Sequence, residues 1–146
     1  MGMDDDRIDL DFNGYWRQGN RAGIPATSGV YAVYSCRYNQ DDNTVTLKQL
    51  IYFGEAENAR DRISGHEKWP EWREEARDDE ICFSFAQASE KDRERAEAAL
   101  IHYHRPVCNQ EYKDRFPFKT TTVQSTGKCA LVTTPITVRH THQQES

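Results

Sequence analysis

Two short runs constrain this chain more than anything else in it: Ser28-Gly29-Val30-Tyr31-Ala32-Val33-Tyr34 and Leu50-Ile51-Tyr52-Phe53-Gly54. Both are dense in β-branched and aromatic residues and too short for a helix, so both read as strands. The polar stretch Asn39-Gln40-Asp41-Asp42-Asn43 between them reads as a turn. A strand over about 30–37 and another over about 45–53 then form an antiparallel hairpin. Each run pairs a glycine with a tyrosine, Gly29 with Tyr31 and Gly54 with Tyr52. A strand tyrosine is usually amphipathic packing, so the pairing needs a reason.

Downstream, Ala56, Ala59 and Ile63 recur at helical spacing over Ala56 to about Glu67. A second short helix restarts at Lys68-Trp69-Pro70-Glu71-Trp72, with proline in its first turn. Trp69 and Trp72 read as helix packing, with base stacking as the other use. Ile81-Cys82-Phe83-Ser84-Phe85-Ala86 reads as a third strand. Ser89 then caps a helix with the stripe Ala96, Ala99, Leu100 and Tyr103, which Arg105-Pro106 ends. The expected fold is α+β: a small central, mainly antiparallel three-stranded sheet flanked by helices, in the order β-β-α-(α)-β-α. Residues 1–24 read as an irregular N-terminal extension whose Phe12, Tyr15 and Trp16 dock on the core. Residues 25–119 form the domain. Residues 120–146 read as a Thr-rich C-terminal extension, with a strand at about 129–134 or a tail.

At 146 residues, one domain with a single modest core is expected. No apolar run reaches the length of a membrane span and no signal peptide is visible, so the expected setting is cytoplasmic, with no membrane partner. Cys36, Cys82, Cys108 and Cys129 match no zinc spacing and read as reduced structural thiols. The net charge of −5 works against phosphate binding, although Arg60, Arg62, Lys68, Arg73 and Arg77 cluster in one segment.

Five features fall in order along this frame. Gly29-Val30-Tyr31 opens the first strand and Tyr52-Phe53-Gly54 closes the second. Arg62-Ile63-Ser64-Gly65-His66 follows on the first helix. Glu97 opens the run Glu97-Ala98-Ala99-Leu100-Ile101, and Pro106-Val107-Cys108-Asn109 closes it. Together they resemble the GIY-YIG nuclease family, with GVY for GIY, YFG for YIG, its R-x-x-x-H helix and its E-x-x-L-I…P-x-x-N segment. The resemblance covers about residues 24–110. Ala56 stands where the family commonly has a hydroxyl, and no separate DNA-binding module is recognisable.

The resemblance implies a metal-dependent DNA endonuclease with one metal ion. Glu97 would hold Mg²⁺ or Mn²⁺, a hard carboxylate for a hard cation. Arg62 would fork onto non-bridging phosphate oxygens. Tyr31 would act as general base, with Tyr52 orienting the water or sharing the role. A phenol titrates near ~10, so a neighbouring cation must lower it: Arg62, Lys48 or the metal. Lys48, four residues before Tyr52, is expected on the same strand face. His66 would take or relay a proton. Asn109 would fix the Glu97 segment, and Gly29 and Gly54 would support the two tyrosines. Tyr34, on the opposite face from Tyr31, would be core. Without a specificity module, the enzyme would cut with little sequence preference or act as a homodimer. Read singly, Glu97 pairs with Arg93 on a helix surface and Arg62 is a solvated charge. An inactive nucleic-acid or protein interaction module on the same scaffold is the alternative reading, and a chance match on a small interaction protein is the third.

Overall fold

The computed structural model describes residues 6–141. It contains β1 (Arg7–Arg17), β2 (Gly29–Asn39), β3 (Thr44–Ala56), α1 (Ala59–Ser64), α2 (Trp69–Ala76), β4 (Glu80–Gln87), α3 (Glu90–His104), β5 (Thr121–Gly127) and β6 (Ile136–Val138). A 3-10 segment, Gln18–Gly23, follows β1. The strands form one six-stranded sheet in the order β3-β2-β4-β1-β5-β6. β1 and β5 run parallel while the other neighbours run antiparallel, so the sheet is mixed.

This overturns the expected small three-stranded, mainly antiparallel sheet. The hairpin and the third strand are present, but three further strands extend the sheet past β4. The segment expected to be irregular holds β1, in which Ile8, Leu10 and Phe12 are buried and Asp9 and Asp11 exposed. That is a period-two pattern, obscured by its acidic outward face and by Asn13-Gly14. The expected strand at 129–134 is instead a turn, flanked by β5 and β6. β5 buries Thr121, Val123 and Ser125, two of them polar, so hydrophobic alternation does not reveal it.

Both faces of the sheet are covered. β2 is buried from Gly29 to Cys36 and β4 from Ile81 to Ala86, as expected of central strands packed on both sides. One core gathers Leu10, Phe12, Tyr34, Phe53 and Val123 beneath Ala96, Ala99 and Leu100 of α3. The other gathers Tyr31, Val33, Ile51 and Phe83 beneath Ala59 and Ile63 of α1 and Trp72 of α2. Tyr34 is therefore core on the α3 face and Tyr31 lies on the α1/α2 face. Asn58 caps α1, its Oδ1 accepting from the Asp61 N–H at 3.1 Å. Ser89 stands at the N-cap of α3, but its hydroxyl makes no capping bond. Arg105 closes α3 in the left-handed region at φ 52°.

Cys36 and Cys82 form a disulfide between β2 and β4, with Cα atoms 6.1 Å apart. The expectation of reduced thiols fails for this pair, because the register sets Cys82 opposite Tyr34, a diagonal step from Cys36. Cys108 and Cys129 are free. No helix among the described residues is long and apolar enough to cross a membrane.

Candidate active site

β3 is an edge strand, so one side of its backbone lacks a ladder partner. The chain after α3 covers that edge. The Asn109 carboxamide accepts from the Phe53 N–H at 2.9 Å and donates to the Phe53 carbonyl at 2.9 Å, as a neighbouring strand would. The Cys108 N–H donates to the Ile51 carbonyl at 3.1 Å. Asn109 thus fixes the loop after α3 to the Tyr52-Phe53-Gly54 segment. Residues of α1 and α3, which pack on opposite faces of the sheet, come together beside this edge. There a cleft of about 340 Å³ opens, lined by Tyr52, Arg62, Glu67, Lys68, Glu97 and Glu111 among others.

The glycines have a steric role. Gly54 lies opposite Tyr31 in the hairpin, and a Cβ on it would fall 2.3 Å from the Tyr31 ring. The ring lies across the space a side chain would fill. A Cβ on Gly29 would fall 2.1 Å from the Ala86 carbonyl oxygen of β4, so Gly29 lets the start of β2 seat against its neighbour.

Tyr52 pairs with Val33 and so lies diagonally from Tyr31, with ring centroids 6.4 Å apart. His66 packs edge-on against both, 5.3 Å from Tyr52 and 6.3 Å from Tyr31, and Trp72 backs it at 4.7 Å. Tyr52, Arg62, Glu97 and Asn109 therefore share one cleft, with Tyr31 and His66 in the aromatic cluster behind Tyr52. Lys48 is not brought there. Two register irregularities in the hairpin, after Val33 and after Ser35, break the alternation between Lys48 and Tyr52. Lys48 lines a separate cleft with Arg37 and Glu75.

Glu97 makes no hydrogen bond or ion pair among the described residues. Its expected partner Arg93 instead binds Glu55, Nε to Oε1 at 2.6 Å. Burial, then the charges of Glu55, Glu111 and Glu94, push the Glu97 carboxyl up to about 9, against the opposing pull of Arg62. At neutral pH and without a cation, it is protonated. Burial also pushes the Tyr52 phenol up to about 12, with Glu97 adding to the shift. Burial raises Tyr31 well above its ordinary value, with Tyr52 adding. Arg62 opposes both shifts but does not overcome them, so the protein alone does not supply the cation that a phenolate base needs.

His66 Nδ1 accepts the Lys68 backbone N–H at 3.0 Å, which puts the ring proton on Nε2. Nε2 is buried and has no partner. Burial, followed by the Arg62 charge, lowers His66 to about 4, so it is a neutral donor with its acceptor nitrogen already engaged. It is not arranged to take a proton. Arg62 grips Glu67 at both guanidinium nitrogens, at 2.9 and 3.2 Å, and holds the Glu67 carboxyl down at about 2. The pair is exposed and screened by solvent, so an incoming phosphate can displace Glu67. Glu67, Lys68 and Glu111 belong to the cleft but were not anticipated. Glu67 lies beyond the Gly65 break, where helical spacing no longer indicates who faces Arg62.

Among the described residues no three His, Cys, Asp or Glu side chains group as a metal cage. A hard cation that keeps most of its waters requires only one or two carboxylates. Glu97 suits that demand, being an unpartnered carboxyl in a cleft that Glu111 also lines. Comparison with known protein families, curated proteins and solved structures finds no match for this chain.

Proposed function

We propose that this protein is a metal-dependent DNA endonuclease acting at a single-metal site of the GIY-YIG kind. The observation that carries the reading is the meeting of Tyr52, Arg62 and Glu97, from three separate elements, in one cleft with Tyr31 packed behind Tyr52. Glu97, with Glu111 beside it, would hold Mg²⁺ or Mn²⁺. Such an ion, when bound, would offset the phosphate charge and stabilise the leaving oxygen. Arg62 exchanges Glu67 for two non-bridging phosphate oxygens. Tyr52, and Tyr31 behind it, would orient the attacking water. One of the two phenols, ionised with loss of its proton to solvent once cationic charge in the cleft has lowered it, would take the water's proton. His66, neutral and packed edge-on against both rings, holds Tyr31 and Tyr52 in place. Asn109 holds the β3 edge so that Tyr52 and Glu97 keep their separation.

One observation favours the interaction-module alternative: without a cation, both phenols and the Glu97 carboxyl hold their protons. Metal binding separates the two readings, since an interaction module needs none. A second copy of the chain is the proposed source of cut-site spacing. The proposed compartment is the cytoplasm. The Cys36–Cys82 bridge weighs against it, since cytosolic glutathione keeps such pairs open, and a thiol count on freshly isolated protein decides the point.

The reading is tested by cleavage of supercoiled, branched and single-stranded DNA with Mg²⁺, Mn²⁺ or EDTA. Metal-dependent cutting that Glu97→Gln and Arg62→Ala each reduce by about a hundredfold or more is expected. Equal cutting by wild type and Glu97→Gln would remove Glu97 from the chemistry and sink the proposal.

A further inference from the structure

A second groove of about 270 Å³ is lined by Gln18, Arg21, Ser64 of α1, and Trp69 and Arg73 of α2. Two arginines line it and no carboxylate does. This stands out in a protein with a net charge of −5. Arg17, Arg37, Arg62 and Arg93 all sit in ion pairs, whereas Arg21 and Arg73 sit in none among the described residues.

Both arginines are held by one neutral residue. Arg21 Nη1 donates to the Gln18 carbonyl at 2.6 Å, and Arg73 Nη1 donates to the Gln18 side-chain oxygen at 2.8 Å. That oxygen also accepts the Ile81 N–H at 3.1 Å, which ties the pair to β4. Each guanidinium spends one of its five N–H donors on positioning and keeps the rest. Arg21 is further steadied 5.3 Å over the Trp69 ring, whose Nε1–H donates to the Ile63 carbonyl at 2.6 Å. Two fixed, uncompensated forks in one groove form a receptor for a phosphodiester anion.

The groove is close enough to serve the same strand. Trp69 touches Trp72 at 5.2 Å and Trp72 touches Tyr52 at 5.4 Å, ring centroid to ring centroid. Trp72 is fully buried, so Trp69 and Tyr52 pack on two sides of one core ring, and their straight-line separation is at most about three steps of strand rise, ~3.4 Å each. Ser64, which lines the groove, is on α1 with Arg62, which lines the cleft.

We infer that the Arg21–Arg73 groove binds the backbone phosphate of a DNA strand a few nucleotides from the bond held at Arg62. The inference rests on the nuclease reading and adds to it the path of the strand: across α1, past Trp69, onto Gln18–Gly23. It also accounts for how an acidic chain can hold a polyanion, since the positive charge needed is concentrated at Arg62, Arg21 and Arg73 rather than spread over the surface.

The test is fluorescence anisotropy with short labelled duplex and single-stranded DNA over a salt series, without metal so that nothing is cut. In Arg21→Ala/Arg73→Ala the affinity at low salt should fall about tenfold or more and the salt slope should shrink by about 1–2. Arg21→Lys/Arg73→Lys should keep most of the slope, and Arg37→Ala, remote from the groove, should leave it unchanged. The single changes Arg21→Gln and Arg73→Gln give the same comparison if the double variant does not fold. Wild-type affinity and slope in the variants, while Arg62→Ala still weakens binding, would overturn the groove and leave the nuclease reading standing. An equal loss in the lysine variant would assign the effect to disturbed packing and overturn the groove as well. If wild-type protein binds no DNA even at low salt, both proposals fall.

Discussion

Glu97 combines two properties that oppose each other: it is the expected metal ligand and a cost to the fold. Its carboxyl titrates near 9 in the folded protein, above its ordinary value of 4.5. A raised folded value means that the fold takes up a proton on forming between those pH values. The stability this gives is full below about 4.5 and is lost as pH rises toward 9. Glu97→Gln has no proton to lose, so at pH 7 it should be more stable than wild type by on the order of 2 kcal/mol while losing cleavage. Thermal melts of both proteins from pH 5 to 9 check this, and the gap should widen with pH. Gly54→Ala should act in the other direction. A methyl 2.3 Å from the Tyr31 ring forces that ring out of place, at a cost of about 1–3 kcal/mol, and cutting should fall with it. A melt and a cleavage rate on the same preparation show whether the two losses travel together.

Between elements, the Asn109 clamp holds the cleft and the Cys36–Cys82 bridge ties β2 to β4. Asn109→Ala leaves the Phe53 N–H and carbonyl unpaired at a buried edge, and should cost about 2–4 kcal/mol by denaturant titration. Asn109→Asp keeps an acceptor for the N–H but loses the donor to the carbonyl, so its loss should be smaller at acid pH, where the carboxyl regains an O–H. The Cys36–Cys82 bridge closes a loop of sequence separation 46, so reduction should cost about 2–4 kcal/mol, seen as a lower midpoint with and without dithiothreitol. Much at this scale was legible in the sequence. The hairpin, the third strand and α3 follow from their apolar patterns, because each has one dominant periodicity. α1 was read too long, since Gly65 ends what Ala56 and Ile63 suggest. β1 and β5 escaped notice because their outward faces are acidic or their inward faces are threonine and serine. The pairing that buries them, β1 against β5 across more than a hundred residues, leaves no local trace.

For the whole molecule, the same contrast separates what could be read of the site from what could not. The resemblance to the GIY-YIG pattern nominates Tyr31, Tyr52, Arg62, His66, Glu97 and Asn109. Tyr52, Arg62, Glu97 and Asn109 line one cleft beside the β3 edge, with Tyr31 and His66 in the aromatic cluster behind Tyr52. Spacing alone misplaced Lys48, because bulges in β3 change its direction, and it could not foresee Glu67 holding Arg62 or the protonation of Glu97. Those properties depend on burial and on charges from β3, α1, α3 and the loop after α3 acting on one cleft. They also give the most direct test of whether Glu97 is a poised metal ligand. Calorimetric titration of Mn²⁺ at neutral pH, in buffers of different ionisation enthalpy, counts the protons released on binding. Wild type should bind one ion and release about one proton, with affinity rising about tenfold per pH unit toward 9, and Glu97→Gln should do neither. Equal Mn²⁺ binding by both proteins, or binding without proton release, would contradict the assignment of Glu97 as the metal ligand.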